Sequence, residues 1–416
     1  MCAVTLLDHA VYQSCMGCHA FLYSCCPPPP LNAKHGCVVC FIRLALAPGL
    51  TLAAPCLPGR LPACSELFPT NAAYNMPRVL DLDAKPDTAT LQAALNLLAW
   101  RHEVMRMRYR LLPDGVCVGV VVPPQGFEVP LQVHPTSSPE EAAALLRQEN
   151  GQPFNLMTGP LVRARLLAHT YTTGATLCVS MHHAVSDAWS QNLFMGELDA
   201  AYRAAALGTQ PAWDPLPIQY ADFAAWSREQ LAGEVGRELL HWWAQALAGA
   251  PPLLQLPLDR PRVANPTYEL GTVRGDLAPG LLERLQAVAA KLRVNLVAVT
   301  LAALQAVLLR YSGQDDIVVG IPVAGRDLPE TQGLVGYFVQ SLPVRCTIPE
   351  GTTLGDMACA ASRATVATLA HSLLPFHAVV AASRQQRIPG ANPVTQASKL
   401  APAPLHVPLL HVPALA

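Results

Sequence analysis

The stretch Val179-Ser180-Met181-His182-His183-Ala184-Val185-Ser186-Asp187-Ala188-Trp189-Ser190 constrains this chain more than any other. The apolar run from Ala175 to Met181 predicts a strand. Two histidines close it, and a helical pattern begins at Ser186 or Asp187. Polar groups at a strand end, before a turn and a helix, are where a rigid scaffold presents reactive chemistry. Successive strand side chains face opposite ways, so His182 and His183 cannot both look into one cleft. One is expected to line a site and the other to pack or orient. Two histidines near an aspartate also fit a satisfied core pair. No third residue of suitable type and spacing lies near enough in sequence to favour a metal site.

The chain is long enough, at 416 residues, for two or three domains with a large buried core. Its net charge of −1 gives no electrostatic footprint for nucleic acid or an anionic membrane. Nine of the thirteen cysteines fall in the first 64 residues, leaving Cys117, Cys178, Cys346 and Cys359 scattered through the body. That body reads as a reduced, cytoplasmic protein with ordinary buried thiols. Asp8 and His9 interrupt the apolar start, so no signal peptide is expected. Residues 1–66 carry four consecutive prolines, Pro27 to Pro30, and are expected to be a disordered Cys/Pro-rich leader. The spacing of Cys15, Cys18, Cys37 and Cys40 fits a zinc-ribbon template, but the proline run and the lack of strand alternation between the pairs argue against zinc.

From Pro69 the texture changes. Asn71-Ala72-Ala73-Tyr74-Asn75 leads into a strand near Val79 to Leu82. Asp87 then caps a helix with Leu91, Leu95 and Leu98 on its apolar face. That helix runs to Arg101-His102-Glu103. Strands are predicted at Val116 to Val122 and Leu131 to Val133. Ser138-Pro139-Glu140-Glu141 reads as a capping box that opens a helix through Glu149. Pro153-Phe154-Asn155-Leu156 and Gly159-Pro160-Leu161-Val162-Arg163 precede another half-buried strand. Leu207 to Pro217, rich in Pro and Gly, marks the expected boundary between two halves, 67–212 and 213–395, with a disordered tail at 396–416. The second half contains Tyr220-Ala221-Asp222-Phe223-Ala224-Ala225-Trp226 and Leu256-Pro257-Leu258-Asp259-Arg260-Pro261-Arg262. Helices are predicted near Gly280 to Leu292, Asn295 to Tyr311 and Leu354 to Ser372. A strand at Asp316 to Ile321 ends in Gly325-Arg326, ahead of Leu334-Val335-Gly336-Tyr337-Phe338-Val339-Gln340-Ser341-Leu342-Pro343.

Taken together and in this order, these blocks resemble nonribosomal peptide synthetase condensation domains over roughly residues 67–395. His182 to Asp187 matches that family's HHxxxDG core, with Ala188 where the family usually has Gly. Gln340 stands where it usually has Asn. The family's opening strand-helix motif has no counterpart before Asn71, nor its closing strands after Asn392. The resemblance implies an α/β (α+β) fold: two chloramphenicol-acetyltransferase-like lobes in a V-shaped pseudo-dimer around a central tunnel. It implies amide-bond formation between two acyl groups held as thioesters on the phosphopantetheine arms of donor and acceptor carrier proteins. An adenylation domain of a synthetase would be a further partner, and the chain itself would bind no cofactor and no metal.

In such a reaction the acceptor's amine attacks the donor's thioester carbonyl. A free α-amine titrates at roughly 7.7–8, so part of it is already nucleophilic near neutrality. What helps is orientation, removal of the proton as the C–N bond forms, and stabilisation of the oxyanion. By resemblance the imidazole that does this is His183, as base or as positioner. His182, Asp187 and Arg326 are structural at the site, the last two as a pair. Ala188, Trp189, Ser190 and Gln340 are expected to line the tunnel. His102 is structural, at a helix-to-strand turn. Two other readings stay open. One is an inactive condensation-domain remnant that at most binds carrier proteins. The other is an HxxxD acyltransferase using acyl-CoA, for which no DFGWG-like loop is found.

Overall fold

The computed structural model describes residues 72–112, 117–262 and 277–385, with a few isolated positions and short strand segments outside them. The chain divides into two compact units. One holds Cys40–Glu229 with Arg326–Phe338, and the other holds Gln230–Gly325 with Val339–Leu405.

In the first unit a four-stranded sheet carries the histidine pair. Its strands are β1 (Asn75–Leu82), β4 (Leu131–Thr136), β5 (Val162–His169) and β6 (Ala175–His182), in the order β1-β6-β5-β4. Pairing is antiparallel except between β4 and β5, and it sets His182 opposite Asn75. A smaller sheet contains β2 (Met107–Leu111) and β3 (Cys117–Val121). The helices are α1 (Thr88–Arg101), α2 (Pro139–Gly151), α3 (Ala188–Ala206) and α4 (Tyr220–Ala232). Every residue of β6 is buried. Leu177, Val179 and Met181 join one apolar core with Leu95 and Leu98 of α1 and Phe194 of α3. Both faces of the strand are covered, and its sequence alternates: Leu177, Val179 and Met181 face this core, with Thr176, Cys178 and Ser180 between them.

The second unit holds α5 (Glu234–Ala246), α6 (Leu281–Leu292), α7 (Leu296–Ser312), β7 (Asp316–Val323), β8 (Gln340–Thr347), α8 (Leu354–Leu369) and α9 (Phe376–Ser383). β7 and β8 pair antiparallel, and Ile317, Val319, Leu342 and Val344 form a second core with Leu301 of α7 and Ala361 of α8. Among the described residues no single helix is long and apolar enough to cross a membrane.

Three expectations shift. The boundary at 213 falls inside the first unit: Gln219 donates to the Arg101 carbonyl at 2.9 Å and accepts from Glu103 N at 3.1 Å, and Tyr220 is buried in the first core. A second excursion, Arg326–Phe338, also belongs to that unit. The helix start at Ser138 has only half of the expected capping box. Ser138 Oγ accepts from Glu141 N at 3.2 Å, but the Glu141 carboxylate turns to Ser137 N at 2.7 Å. The reciprocal box is found instead at Thr353 and Asp356, opening α8. The candidate zinc residues Cys15, Cys18, Cys37 and Cys40 lie outside the described residues. Within the expected leader, a short strand at Leu50–Ala53 pairs with β3.

Candidate active site

The alternation of β6 sends His182 to the face shared by Thr176, Cys178 and Ser180, opposite the apolar core of α1 and α3. There it is 5% exposed, and its Nδ1 accepts the N–H of Ala184 at 3.0 Å. A nitrogen that accepts carries no proton, so the proton of the neutral ring sits on Nε2. The ring meets Phe154 edge to face, with centroids 6.0 Å apart. Burial, with a smaller push from neighbouring His183, holds His182 down to about 4. It is a neutral brace for the turn that follows the strand.

His183 is the first residue past β6, and it is half-buried. Its backbone N–H donates to the Tyr74 carbonyl at 2.9 Å. Its Nδ1 lies 2.8 Å from the Ser186 carbonyl oxygen. A carbonyl only accepts, so Nδ1 carries the proton and the neutral ring presents a lone pair at Nε2. The two adjacent imidazoles are therefore opposite tautomers, each set by the main-chain group that its Nδ1 meets. Beneath the turn, Tyr109 Oη donates to the Ala184 carbonyl at 3.2 Å. Burial above all, then the nearby Cys117 and Tyr337, raises the Tyr109 phenol well above its ordinary value, so it stays a neutral donor.

Asp187 caps α3. Its Oδ1 accepts from Ser190 N at 2.7 Å, the usual reach from an N-cap to the third helical residue. The same carboxylate does more than cap. Arg326 Nη2 lies 3.3 Å from Oδ1, and Phe338 N donates to Oδ2 at 3.0 Å. Arg326 also donates from Nη2 to Ser190 Oγ at 2.7 Å, and from Nη1 to the carbonyls of Thr331 and Leu334 at 2.5 and 2.7 Å. Its guanidinium lies over the Phe338 ring, 4.0 Å from the centroid. Ser190 Oγ donates to the Gly336 carbonyl at 2.7 Å and accepts from Gly336 N at 3.0 Å. Its one proton and two lone pairs are thereby used in full.

His102 is 1% exposed and has its own buried partners. Its Nδ1 accepts from Val335 N at 3.3 Å and its Nε2 meets Glu197 at 2.6 Å, with Arg101 on the other carboxylate oxygen at 3.0 Å. This histidine ties α1 to α3 and to the 334–338 segment.

The structure thus brings His182, His183, Asp187 and Arg326 into one unit, with Asp187 and Arg326 in direct contact. Ser190 does not fit a tunnel wall: it is fully buried and its hydroxyl is spent on Arg326 and Gly336. Ala188 is exposed at the first helical position, and Trp189 is half-buried with Nε1 on the Gln332 carbonyl at 3.0 Å. Ala188 is not among the positive-φ residues, so it takes the place of a glycine without backbone strain. Gln340 opens β8 in the second unit, its side-chain oxygen buried and without a hydrogen-bond partner among the described residues. Sequence reasoning missed Tyr337, whose ring meets the His183 ring with centroids 5.0 Å apart. It also missed Gly336, where an added Cβ would fall 2.5 Å from Tyr220 Cδ2. Neither had a signal beyond its place in a matched block. Among the described residues no group of three or more His, Cys, Asp or Glu side chains could hold a metal.

The comparisons with known proteins agree on one family. The sequence model of the Condensation domain matches residues 59–398. The chain is 38% identical over 335 residues to phosphinothricin tripeptide synthetase PhsB of Streptomyces viridochromogenes, covering 80% of this chain and 28% of the relative. It is 38% identical over 319 residues to a linear gramicidin synthase protein of Brevibacillus parabrevis, covering 76% of this chain and 4% of that protein. The chain therefore spans only a small part of these curated relatives. Among solved structures, the X-domain from teicoplanin biosynthesis is similar with a TM-score of 0.72 at 27% identity, covering 78% of this chain and 72% of that one. The condensation domain of the monacolin K polyketide synthase MokA shares the fold, with a TM-score of 0.70 at 17% identity over 84% of this chain and 82% of its own. With the histidine turn, its buried Asp187–Arg326 pair and a family match across most of its length, this chain belongs to the condensation-domain family and is homologous to the condensation domains of nonribosomal peptide synthetases.

Proposed function

We propose that this chain joins two acyl groups by an amide bond, with both presented as thioesters on carrier-protein phosphopantetheine arms and His183 as the catalytic imidazole. The observation that carries this reading is the hydrogen bond from His183 Nδ1 to the Ser186 carbonyl at 2.8 Å, which leaves the Nε2 lone pair available. The acceptor's amine forms a C–N bond to the donor's thioester carbonyl. The C–S bond breaks, the amine proton passes to His183 Nε2, and from there it goes to the departing thiolate. A base so placed supplies roughly 10²–10⁴ in rate. Asp187 and Arg326 hold the turn and touch no substrate in this scheme. The acyl groups come from carrier proteins loaded by an adenylation domain, the phosphopantetheine arrives with them, and the chain holds no cofactor or metal of its own. A cytoplasmic location goes with that reading.

The experiment is a transfer assay with aminoacyl groups on donor and acceptor carrier proteins, run beside the same acyl group on CoA. Amide product from the carrier pair alone supports the proposal. Product from acyl-CoA alone assigns the chain to the acyl-CoA acyltransferases. Carrier binding without any product makes it a binding remnant.

A further inference from the structure

The aromatic ring beside the imidazole comes from outside the histidine motif. The Tyr337 and His183 rings meet edge to face, with centroids 5.0 Å apart and planes at 77°. The backbone under Tyr337 is pinned at three consecutive residues. Gly336 exchanges two hydrogen bonds with Ser190 Oγ. The Tyr337 carbonyl accepts from Tyr220 Oη at 2.8 Å. Phe338 N–H donates to Asp187 Oδ2 at 3.0 Å. The buried network around Asp187, Ser190 and Arg326 thus fixes the peptide that carries Tyr337. Among the described residues the imidazole itself has one ring hydrogen bond, from Nδ1 to Ser186. One such bond leaves a ring free to swing about it, or to turn over about Cβ–Cγ, which puts Cδ2 at the carbonyl and removes the support of the Nδ1–H tautomer. An edge-to-face partner disfavours both motions, because each gives up the contact between the two rings.

We infer that Tyr337 is a positioning residue for the reaction: its ring holds the His183 imidazole in the Nδ1–H tautomer with Nε2 presented, and, beside the Ser186 carbonyl, it is a route by which the Asp187–Ser190–Arg326 network reaches that imidazole. The kinetic part of this inference rests on the role proposed for His183, whereas the tautomer does not. Tyr337 lies 154 positions beyond His183 in the chain and forms no part of its motif.

The test is nitrogen NMR of histidine-labelled full chain, with His183→Gln to assign the signal, on wild type and on Tyr337→Phe, Tyr337→Leu and Tyr337→Ala. Transfer kinetics on carrier-bound substrates are run in parallel. The wild type and Tyr337→Phe are expected to show the Nδ1–H form of His183, and Tyr337→Leu and Tyr337→Ala a mixture of tautomers. Turnover is expected to fall on the order of 10-fold in Tyr337→Ala with KM within about 2-fold, and to be largely kept in Tyr337→Phe. Should Tyr337→Ala prove poorly folded, the comparison of Tyr337→Leu with Tyr337→Phe carries the same decision. A single unchanged tautomer in the Leu and Ala variants overturns the inference, even if turnover drops. A wild type without turnover, but with the tautomer change intact, removes the proposed function and leaves the positioning role standing.

Discussion

Arg326 Nη2 lies 3.3 Å from Asp187 Oδ1, joining side chains 139 residues apart that are 1% and 2% exposed. The pair does not stand alone. Asp187 accepts two backbone N–H groups, and Arg326 donates to two carbonyls and a hydroxyl. Two charges removed from water are tolerated because both terminal guanidinium nitrogens and both carboxylate oxygens meet backbone groups or the Ser190 hydroxyl.

Asp187→Ala and Arg326→Met should each lower stability by about 3–5 kcal/mol, since each leaves the other charge buried without its ion-pair partner. Denaturant titration followed by circular dichroism measures this. Asp187→Leu combined with Arg326→Met should cost clearly less than the two single losses added together. An Asp187→Ala protein of wild-type stability that forms no product would move the carboxylate from the scaffold into the chemistry.

His183→Ala should behave in the opposite way. The ring is half-buried at the end of β6 and braces little else, so the fold is kept and turnover falls by roughly 10²–10⁴. Near-ultraviolet circular dichroism with the transfer assay separates the two effects. Undiminished transfer by His183→Ala would exclude this imidazole as the base.

His182 gives the protein a stability that depends on pH. Its folded value of about 4 lies below that of an ordinary histidine, burial being the main cause. Between about pH 6.5 and pH 4 the unfolded chain takes up a proton at this position and the folded chain does not. The contribution is therefore fully present above about pH 6.5 and is lost as pH falls toward 4, about 3 kcal/mol in all. His182→Asn, which can still accept from Ala184 N, should flatten the stability profile across that window. A profile as steep as the wild type's would place the titrating group elsewhere.

Ala188→Gly restores the residue usual in the family and should gain nothing. Ala188 is exposed, helical and free of positive φ, so the glycine should leave transfer unchanged and cost stability, by no more than about 1 kcal/mol. A marked rise in turnover would show that substrate needs the space of the missing methyl group.

Gly336→Ala should displace the peptide carrying Tyr337. The added carbon would sit 2.5 Å from Tyr220 Cδ2 and 2.8 Å from Phe338 Cε2, and both rings belong to the first core. A loss of about 1–3 kcal/mol is expected, typical of overpacking, together with reduced turnover. Wild-type melting and kinetics in this variant would mean that the segment yields at no cost.

The elements nearest the site were legible because local rules and tertiary environment agree there. The run at Ala175 predicts a strand and forms β6, Asp87 has the residue type of a cap and accepts from Thr90 N at 2.7 Å, and the helix expected after Ser186 or Asp187 begins at Ala188. Ser190 was misplaced because its hydroxyl on the first turn of α3 meets partners from residues 326–336, which no helical pattern announces. The boundary near 213 was misplaced for a related reason. Pro and Gly mark where the chain turns, not which core it joins afterward.

The sequence alone determined the strand, the histidine turn, the capped helix and the family to which their order belongs. Those follow from short-range periodicity, from backbone groups within four residues, and from motif order. The tertiary structure alone decided which imidazole is buried in the core, and that residues 326–338 return to the first unit to place Tyr337 against His183. The reason is physical. Burial and the Tyr337–His183 contact depend on atoms brought together across more than a hundred residues of chain, and a ring contact at about 5 Å leaves no periodic trace in the residues that make it.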